Sequence, residues 1–393
     1  MKIAALFIAL TLPLPLMAEQ AACMKGKTVK FDRAIEESRS LVQNFMDKNN
    51  MVGLSIALSV CDKLVWSQGF GLADLENNIP VTPKTKFRIA SVSKTLTATA
   101  LAQLYEQGNL QFDREIHHYV PSFPAKKFPI TTRQLAGHLA GIRHYKGNEF
   151  YMMKNYPHVM DGLKIFQNDA LLHEPGTKYL YSSYGWNLLS AIIENTSQMD
   201  YLDYMQKNIL MPLNMHQTVA DRNRQVITNR GRFYHVDKNG QVSNAPYVDN
   251  SYKWAGGGYL STAEDLVKFG NAMLSNRLMK KESFRLLTTS QKTNDGLPTH
   301  YGMGWSTNIF QNNIKSLELE YGSEISGRVF SILKDQNLVG HSGGAVGGKT
   351  LFWVLPKSGI SVAAISNSNI APTIALSVTA EFVEQIKIHN AEK

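Results

Sequence analysis

The sequence predicts a mixed α/β (α+β) fold, in which an antiparallel sheet is flanked by helices and a mostly helical lobe is inserted into the chain. Strand-like apolar runs occur near both ends of the 393-residue chain, and helical runs, turns and aromatic loops fill the middle. Because strands from both ends can complete one sheet, we expect residues 25–90 and 300–393 to form a sheet-containing lobe. Residues 91–299 then form the helical lobe, and the cleft between the lobes is the expected functional site.

The amino-terminal elements show both secondary-structure periods. Residues 32–48 carry apolar side chains at helical spacing. Residues 52–60 and 64–71 are strand-like runs joined by a short turn at residues 61–63, which predicts a hairpin. The next helix is predicted from residue 91 to near residue 108, a glycine, because glycine commonly ends a helix.

The later elements follow from a helix-start signal and from short apolar runs. Ser261-Thr262-Ala263-Glu264 is a capping-box pattern that predicts a helix. Residues 328–333, 350–355 and 360–366 are predicted strands, and residues 373–389 are a predicted final helix.

The amino terminus has the pattern of a secretory signal. Met1-Lys2 is followed by an apolar run over residues 3–16, and Ala18 is a suitable small residue for cleavage, so residues 1–18 are the predicted signal peptide. The run is interrupted by Pro13 and Pro15 and is too short to favour a permanent transmembrane helix. We therefore expect an exported protein, periplasmic or secreted.

Cysteine content, charge and histidine spacing indicate which partners and cofactors the protein is expected to have. Cys23 and Cys61 are candidates for a disulfide in an oxidising compartment, and a lipid-modified Cys23 is disfavoured by the residues before it. A net charge of +9 is compatible with peripheral contact with an anionic membrane surface. The basic residues are scattered and form no nucleic-acid motif, so we expect no nucleic-acid partner. The eleven histidines form no H-E-x-x-H pattern, so we expect neither a metal nor a cofactor.

Ser91-Val92-Ser93-Lys94 is the most informative motif. Residues three apart share a helical face, so Ser91 and Lys94 can form a nucleophile–base pair, whereas Ser93 faces elsewhere. The alternative is that Ser91 only caps the helix and Lys94 is solvated. Ser331-Ile332-Leu333-Lys334 has the same pattern but falls in a predicted strand, where residues three apart face opposite sides.

Two further motifs follow in order along the chain. Tyr181-Ser182-Ser183 precedes a helical run, and His341-Ser342-Gly343-Gly344 comes just before a predicted strand. The order S-x-x-K, Tyr-x-Ser/Asn, Lys/His-x-Gly resembles the serine β-lactamase and penicillin-binding-protein superfamily, especially its class C and esterase branch. Residues 138–145, 201–206 and 246–258 are similar to the mitochondrial serine β-lactamase-like proteins.

The resemblance covers residue 32 to the end and implies a role for each matching residue. Ser91 is the acylated nucleophile, and Lys94 is the base, either as the amine or sharing a proton with Tyr181. Tyr181 relays protons to the leaving group and activates the deacylating water. The oxyanion hole consists of the backbone N–H groups of Ser91 and Gly344. The implied substrate-binding residues are Ser183, His341 and Gly343.

Two departures from the family pattern affect the expected substrate. Ser183 replaces an asparagine that contacts the acyl side chain, and His341 replaces a lysine that holds a β-lactam carboxylate. Histidine is largely neutral at pH 7. Both changes weigh against efficient β-lactam hydrolysis and leave acyl transfer intact.

The resemblance therefore implies a β-lactamase/transpeptidase-like fold and a serine hydrolase acting through an acyl-enzyme on a peptide, amide or ester. One alternative is an assembly-forming, filament-forming or ligand-binding protein whose acylable serine has little activity. A second alternative is a weak β-lactamase or D-amino-acid carboxypeptidase. The sequence leaves homo-oligomer or filament formation open.

Other conspicuous residues have structural explanations. We expect His138 and His144 to fix a turn-rich loop rather than bind metal, and residues 256–258 to let the backbone pass close to the cleft floor. Trp254 and Trp305 either line a pocket or belong to the core.

Overall fold

A computed structural model of the protein describes residues 29–391. The predicted signal peptide and Cys23 lie outside the described residues, so export and the pairing of Cys23 with Cys61 stay predictions.

The strands are β1 Gly53–Val60, β2 Lys63–Asp74, β3 Ile79–Pro80, β4 Phe87–Arg88, β5 Val219–Ala220, β6 Tyr234–Val236, β7 Val242–Asn244, β8 Tyr259–Ser261, β9 Val339–Ala345, β10 Gly348–Leu355 and β11 Ile360–Ser366. The α-helices are α1 Asp32–Asn49, α2 Ser93–Glu106, α3 Thr132–Ala136, α4 Val159–Leu163, α5 Ser183–Ser197, α6 Tyr201–Met205, α7 Trp254–Gly257, α8 Ala263–Leu274, α9 Lys281–Thr288, α10 Ile309–Leu333 and α11 Ala375–Ala391.

A six-stranded antiparallel sheet joins the two ends of the chain, which confirms the predicted fold class. Its strand order is β3-β2-β1-β11-β10-β9. The central pairing runs from Leu54 opposite Ser366 to Val60 opposite Ile360. Two small sheets, β4-β8-β5 and β6-β7, lie outside it.

The central strands are buried along their whole length, and apolar residues predominate in them. Alternate side chains enter two different cores, because successive residues of a strand point to opposite faces. Ala57 and Ile365 belong to the core that contains α2 and α8. Leu54 and Ala364 belong to the core that contains α1, α10 and α11. The sheet is therefore sandwiched between helices.

Helix α8, from the middle of the chain, packs directly on the sheet. Ser59 on β1 donates a 2.6 Å hydrogen bond to Asn271 on α8. A Cβ atom on Gly270 would lie 2.0 Å from the Ser361 hydroxyl, so glycine permits this close approach. The capping pattern predicts Ser261 as the N-cap, but the N-cap is Thr262, so the helix begins one residue later. The Thr262 side chain accepts a hydrogen bond from the Asp265 backbone N–H.

The predicted strand over residues 328–333 is wrong, since this segment is the last part of α10. Val329, Ile332 and Leu333 are buried at spacings that also fit a helical face. The exposed Arg328 forms an ion pair with Glu381 on α11, which fixes the helix against its neighbour. The strand that completes the sheet is β9, which contains the His341 motif itself.

Candidate active site

Ser91 lies in a single 3₁₀ turn, residues 90–92, that leads directly into α2. Ala90 has a left-handed backbone with φ of +47°, a conformation that costs a residue with a side chain about 1–3 kcal/mol. The turn is packed into the fold, since Ile89 and Val92 are fully buried while Ser91 is partly exposed. Strain is thus concentrated next to the predicted nucleophile.

The Lys94 amine is buried beside Ser91, as the motif predicts. Its Nζ lies 3.0 Å from the Ser91 hydroxyl, 3.2 Å from the Ser183 hydroxyl and 2.5 Å from the Gly256 carbonyl oxygen. Burial lowers the pKa of Lys94 well below its usual value, and the nearby charge of Lys253 lowers it further. The environment therefore favours the neutral amine and excludes the solvated-lysine alternative.

The Tyr181 hydroxyl approaches Ser91 from another direction and donates a 2.8 Å hydrogen bond to its Oγ. Burial raises the pKa of Tyr181, so the phenol is protonated near neutral pH. Lys94 and Tyr181 meet at the Ser91 oxygen, and the Lys94 Nζ lies 5.0 Å from the centre of the tyrosine ring.

Ser93 is separated from this cluster. Its hydroxyl is buried and makes no hydrogen bond within the described residues. The helical register that distinguishes Ser91 from Ser93 is therefore the one expected from the sequence.

Two histidines hold the segment that presents Tyr181. The His138 Nδ1 accepts a hydrogen bond from the Ser182 backbone N–H, and the His144 Nδ1 accepts one from the Ser183 backbone N–H, both at 3.1 Å. The His138 ring also packs 4.2 Å from the Tyr181 ring, measured between centroids. These contacts agree with the predicted loop-fixing role.

Strand β9 places its glycines against the nucleophile turn. A Cβ atom on Gly343 would lie 2.3 Å from the Ile89 carbonyl oxygen, so only glycine fits there. Gly340 exchanges backbone hydrogen bonds with Ser306 on the side of β9 away from β10. Backbone groups of alternate strand residues point the same way, so the N–H of Gly344 also faces this free edge, where Gly344 lines a cleft. Its participation in an oxyanion hole stays a prediction.

Both ring nitrogens of His341 are engaged by the protein. Its Nδ1 lies 2.6 Å from the Ser342 carbonyl oxygen, and its Nε2 lies 2.8 Å from the Tyr301 hydroxyl. Since a carbonyl oxygen only accepts, the proton is assigned to Nδ1, and the tyrosine donates to Nε2. Burial lowers the pKa of His341 to about 3. The residue is therefore neutral, which reduces its scope for binding a substrate carboxylate.

Sequence reasoning did not identify several residues that shape the site. Gly256 was expected only to allow a close backbone approach, yet its carbonyl oxygen contacts the Lys94 amine. Tyr301 has no motif around it and is recognised only through its bond to His341. Arg143 forms an ion pair with Glu149, which also accepts from the Tyr184 hydroxyl and fixes the loop before α5.

The cleft beside Gly344 has a volume of about 580 Å³. Trp305 lies outside it, fully buried between Phe269 and Phe352, and therefore belongs to the core. Within residues 29–391, no cluster of three or more His, Cys, Asp or Glu has the arrangement of a metal site. In the same range no helix is long and apolar enough to cross a membrane.

Known proteins are similar to this chain in sequence and in fold. The model of the Beta-lactamase family matches residues 39–377. The mitochondrial serine beta-lactamase-like protein LACTB of Homo sapiens is 37% identical over 404 residues, covering 83% of this chain and 73% of the human protein. The octameric penicillin-binding protein homologue from Pyrococcus abyssi superimposes with a TM-score of 0.71 at 25% identity, covering 89% of this chain and 77% of that chain. A class C beta-lactamase has a TM-score of 0.69 at 18% identity, covering 90% and 96% of the two chains, and so supports the fold. The chain therefore belongs to the Beta-lactamase family, the β-lactamase-like serine hydrolases that include the penicillin-binding-protein homologues.

Proposed function

We propose that the protein is a serine hydrolase that cleaves a peptide, amide or ester bond through an acyl-enzyme at Ser91. The position of the Ser91 Oγ is the observation that supports this most directly. It lies 3.0 Å from the Lys94 amine and 2.8 Å from the Tyr181 hydroxyl. A base and a proton donor thus contact one partly exposed oxygen.

The hydrogen-bond arrangement is satisfied when Lys94 is neutral. A neutral amine has two N–H donors and one lone pair. The Gly256 carbonyl oxygen only accepts, and the Ser183 hydroxyl is also able to accept, so these two groups take the donors. Tyr181 donates to Ser91, which leaves the serine proton directed at the Lys94 lone pair. This geometry favours Lys94 over Tyr181 as the base that activates Ser91.

Acylation then needs two proton transfers. Ser91 attacks the substrate carbonyl carbon and passes its proton to Lys94, and the backbone N–H groups of Ser91 and Gly344 stabilise the resulting oxyanion. The leaving group departs with the proton of Tyr181. The ammonium formed on Lys94 stabilises the adjacent tyrosinate, which offsets the effect of burial on the Tyr181 pKa.

Deacylation restores the starting state. The Tyr181 oxyanion takes a proton from water, whose oxygen attacks the acyl carbon. Ser91 leaves with the proton held by Lys94, and the free acid departs. Protons and charges balance over the cycle without a cofactor.

The substrate is proposed to be a peptide amide or an ester rather than a penicillin. His341 is buried and neutral, so it offers no permanent charge to a β-lactam carboxylate. A charge-assisted hydrogen bond contributes about 1.5–3 kcal/mol, which corresponds to one or two orders of magnitude in turnover. Specificity constants for a chromogenic cephalosporin and a short-chain nitrophenyl ester test this, and efficient cephalosporin hydrolysis would contradict it.

A fluorophosphonate probe tests the nucleophile directly. The probe should label the wild-type protein at Ser91, identified by peptide mass spectrometry, and should not label Ser91→Ala. The matched control is Ser331→Ala, because Ser331 is the serine of the second S-x-x-K motif and is exposed on α10. Labelling that survives in Ser91→Ala would reject the proposal.

We further propose that the protein acts after export. The signal-sequence pattern before Ala18 supports this, whereas the human relative is mitochondrial by its name. Mass spectrometry of the mature amino terminus should find a chain that begins after Ala18. A mature protein that retains Lys2 would contradict export by signal cleavage.

A further inference from the structure

We infer that Lys253 is a specificity-determining residue that binds a carboxylate carried by the acyl group of the substrate. This inference rests on the proposed acyl-transfer function and adds the chemical class of the acyl group. It assigns a second lysine of the site to recognition, where Lys94 is assigned to proton transfer.

The Lys253 side chain is enclosed by aromatic rings and has no hydrogen-bonding partner. The residue is only 3% exposed. Its Nζ lies 4.7 Å from the ring centre of Phe150, 5.2 Å from that of Tyr252 and 5.5 Å from that of Tyr145. Throughout residues 29–391, no carboxylate forms an ion pair with this amine and no oxygen accepts a hydrogen bond from it.

Ring contacts compensate only in part for the lost hydration of an ammonium, because they provide no acceptor for its three N–H groups. Desolvation accordingly lowers the pKa of Lys253 to about 7. Asp221, the buried carboxylate whose charge raises the Lys253 pKa, is already bound by Arg88 and Asn250. Lys253 is therefore a buried amine that lacks an anion, and buried polar groups are normally paired.

The position of Lys253 connects it to the reacting groups. The Tyr145 ring packs against the His144 ring at a tilt, with ring centres 4.2 Å apart, and His144 accepts a hydrogen bond from the backbone N–H of Ser183. Ser183 in turn contacts the Lys94 amine. Lys253 thus lies on the Ser183 side of the nucleophile, which the family resemblance assigns to the acyl group. Its charge contributes to the lowered pKa of both Lys94 and His144, as expected for a neighbouring cation.

The adjoining cleft is suited to an anion. Phe150, whose ring contacts Lys253, lines this cleft together with Gly344. Lys349 and His235 are also in its wall, and none of the described residues that line it is acidic. A substrate carboxylate that enters beside Gly344 therefore meets a basic wall, and the Lys253 amine lies 4.7 Å from the centre of the Phe150 ring in that wall.

Paired substrates test this directly. Nitrophenyl esters of glutaric and adipic acid carry a free carboxylate, and the corresponding monoamide esters are neutral and of equal length. We expect wild-type kcat/KM to favour the acids by about 10- to 100-fold at the matching length, the range for a charge-assisted hydrogen bond. The ratio of kcat/KM for the acid ester to kcat/KM for the neutral ester should fall to about one in Lys253→Met and be largely kept in Lys253→Arg. Lys357→Met is the matched control, because Lys357 is exposed in the turn between β10 and β11.

Three results would overturn the inference. The first is an acid preference that is unchanged in Lys253→Met while the probe still labels Ser91. The second is a preference that is lost only in Lys349→Met, since the charge would then be recognised at Lys349. The third is a preference that appears only when the carboxylate is on the leaving group.

Binding separates this inference from the proposed chemistry. If wild-type protein hydrolyses none of the esters, the proposed function fails, and calorimetry on Ser91→Ala protein still tests Lys253. The adipic or glutaric ester should then bind more tightly than its neutral amide, and the additional substitution Lys253→Met should remove the difference. Equal affinities in Ser91→Ala would reject the role of Lys253.

Discussion

Two segments of this chain have the sequence Ser-x-x-Lys on a helix, and they have opposite environments. Ser91 and Lys94 lie at the start of α2, where the lysine is fully buried and its amine is 3.0 Å from the serine hydroxyl. Ser331 and Lys334 lie at the end of α10, and both are exposed. The Ser331 hydroxyl donates to the backbone carbonyl of Arg328, one turn earlier in its own helix.

The difference shows that helical spacing alone does not create a nucleophile–base pair. A solvated lysine remains protonated at neutral pH and has no lone pair to accept a proton. Burial removes the water that stabilises the charged form of Lys94, and the Gly256 carbonyl and Ser183 hydroxyl orient the amine. The chemistry depends on the surroundings that only the first motif has.

The largest expected effect is the loss of the first serine. Ser91→Ala should abolish turnover and covalent labelling, because Ser91 carries the partly exposed hydroxyl that both Lys94 and Tyr181 contact, whereas the Ser183 hydroxyl beside them is buried. The fold should persist, since the Ser91 side chain is partly exposed and not part of the core. Ester hydrolysis and circular dichroism measure the two effects. Ser331→Ala should match wild type in both, and an inactive but folded Ser331→Ala would reverse the comparison.

Removal of the buried amine should have the next largest effect. Lys94→Met should lower kcat by about 10² or more, the usual scale for lost proton transfer, whereas Lys334→Met should have no effect. Tyr181→Phe should be similarly damaging. Since Lys94 and Tyr181 act on one oxygen, the double variant should lose far less than the product of the single losses. Fully multiplicative losses would reject a shared proton network.

The pH profile should report the buried lysine. The active form of Lys94 is the neutral amine, and its pKa is lowered well below the usual value near 10.5. Activity should therefore rise as pH increases through this lowered pKa and be constant above it. The measurement is kcat/KM for a neutral ester over a range where the protein stays folded. A rise that continues to about pH 10, the range of a free lysine side chain, would contradict the effect of burial on the Lys94 pKa.

The smallest effect is expected for Ser93, which belongs to the first motif but not to its catalytic face. Ser93→Ala removes a buried hydroxyl that has no hydrogen-bonding partner in the described structure, so kcat should change by less than about threefold. Ester hydrolysis and thermal unfolding check activity and stability. If Ser93→Ala were inactive and Ser91→Ala active, the assigned helical register would be wrong.

Much of the site was predictable because its signals are local. Ser91 and Lys94 are one helical turn apart, and their pairing follows from that spacing once α2 is recognised. Tyr181 and His341 were found through motif order, which the family resemblance supplied. The hairpin of β1 and β2 and the helix α1 also agree with their predicted limits within a few residues.

The errors occurred where local patterns are ambiguous. The apolar residues near position 330 fit a strand or a helix, and packing of α10 against α11 decides in favour of the helix. The glycine-rich segment 339–345 has low strand propensity, yet it forms β9 because it completes the sheet. Gly343 is required there by its closeness to Ile89, a contact between residues far apart in the chain.

The sequence by itself determined most of the elements, the end of α10 and strand β9 excepted, and it determined which residues are able to react, because periodicity and the Ser91–Lys94 spacing act over one or two turns. The tertiary structure decided the properties of those residues. It buries Lys94, engages both nitrogens of His341 through Tyr301 and Ser342, and encloses Lys253 in aromatic rings. The physical reason is that desolvation and proton position depend on neighbours distant in sequence, and only the folded chain brings these together.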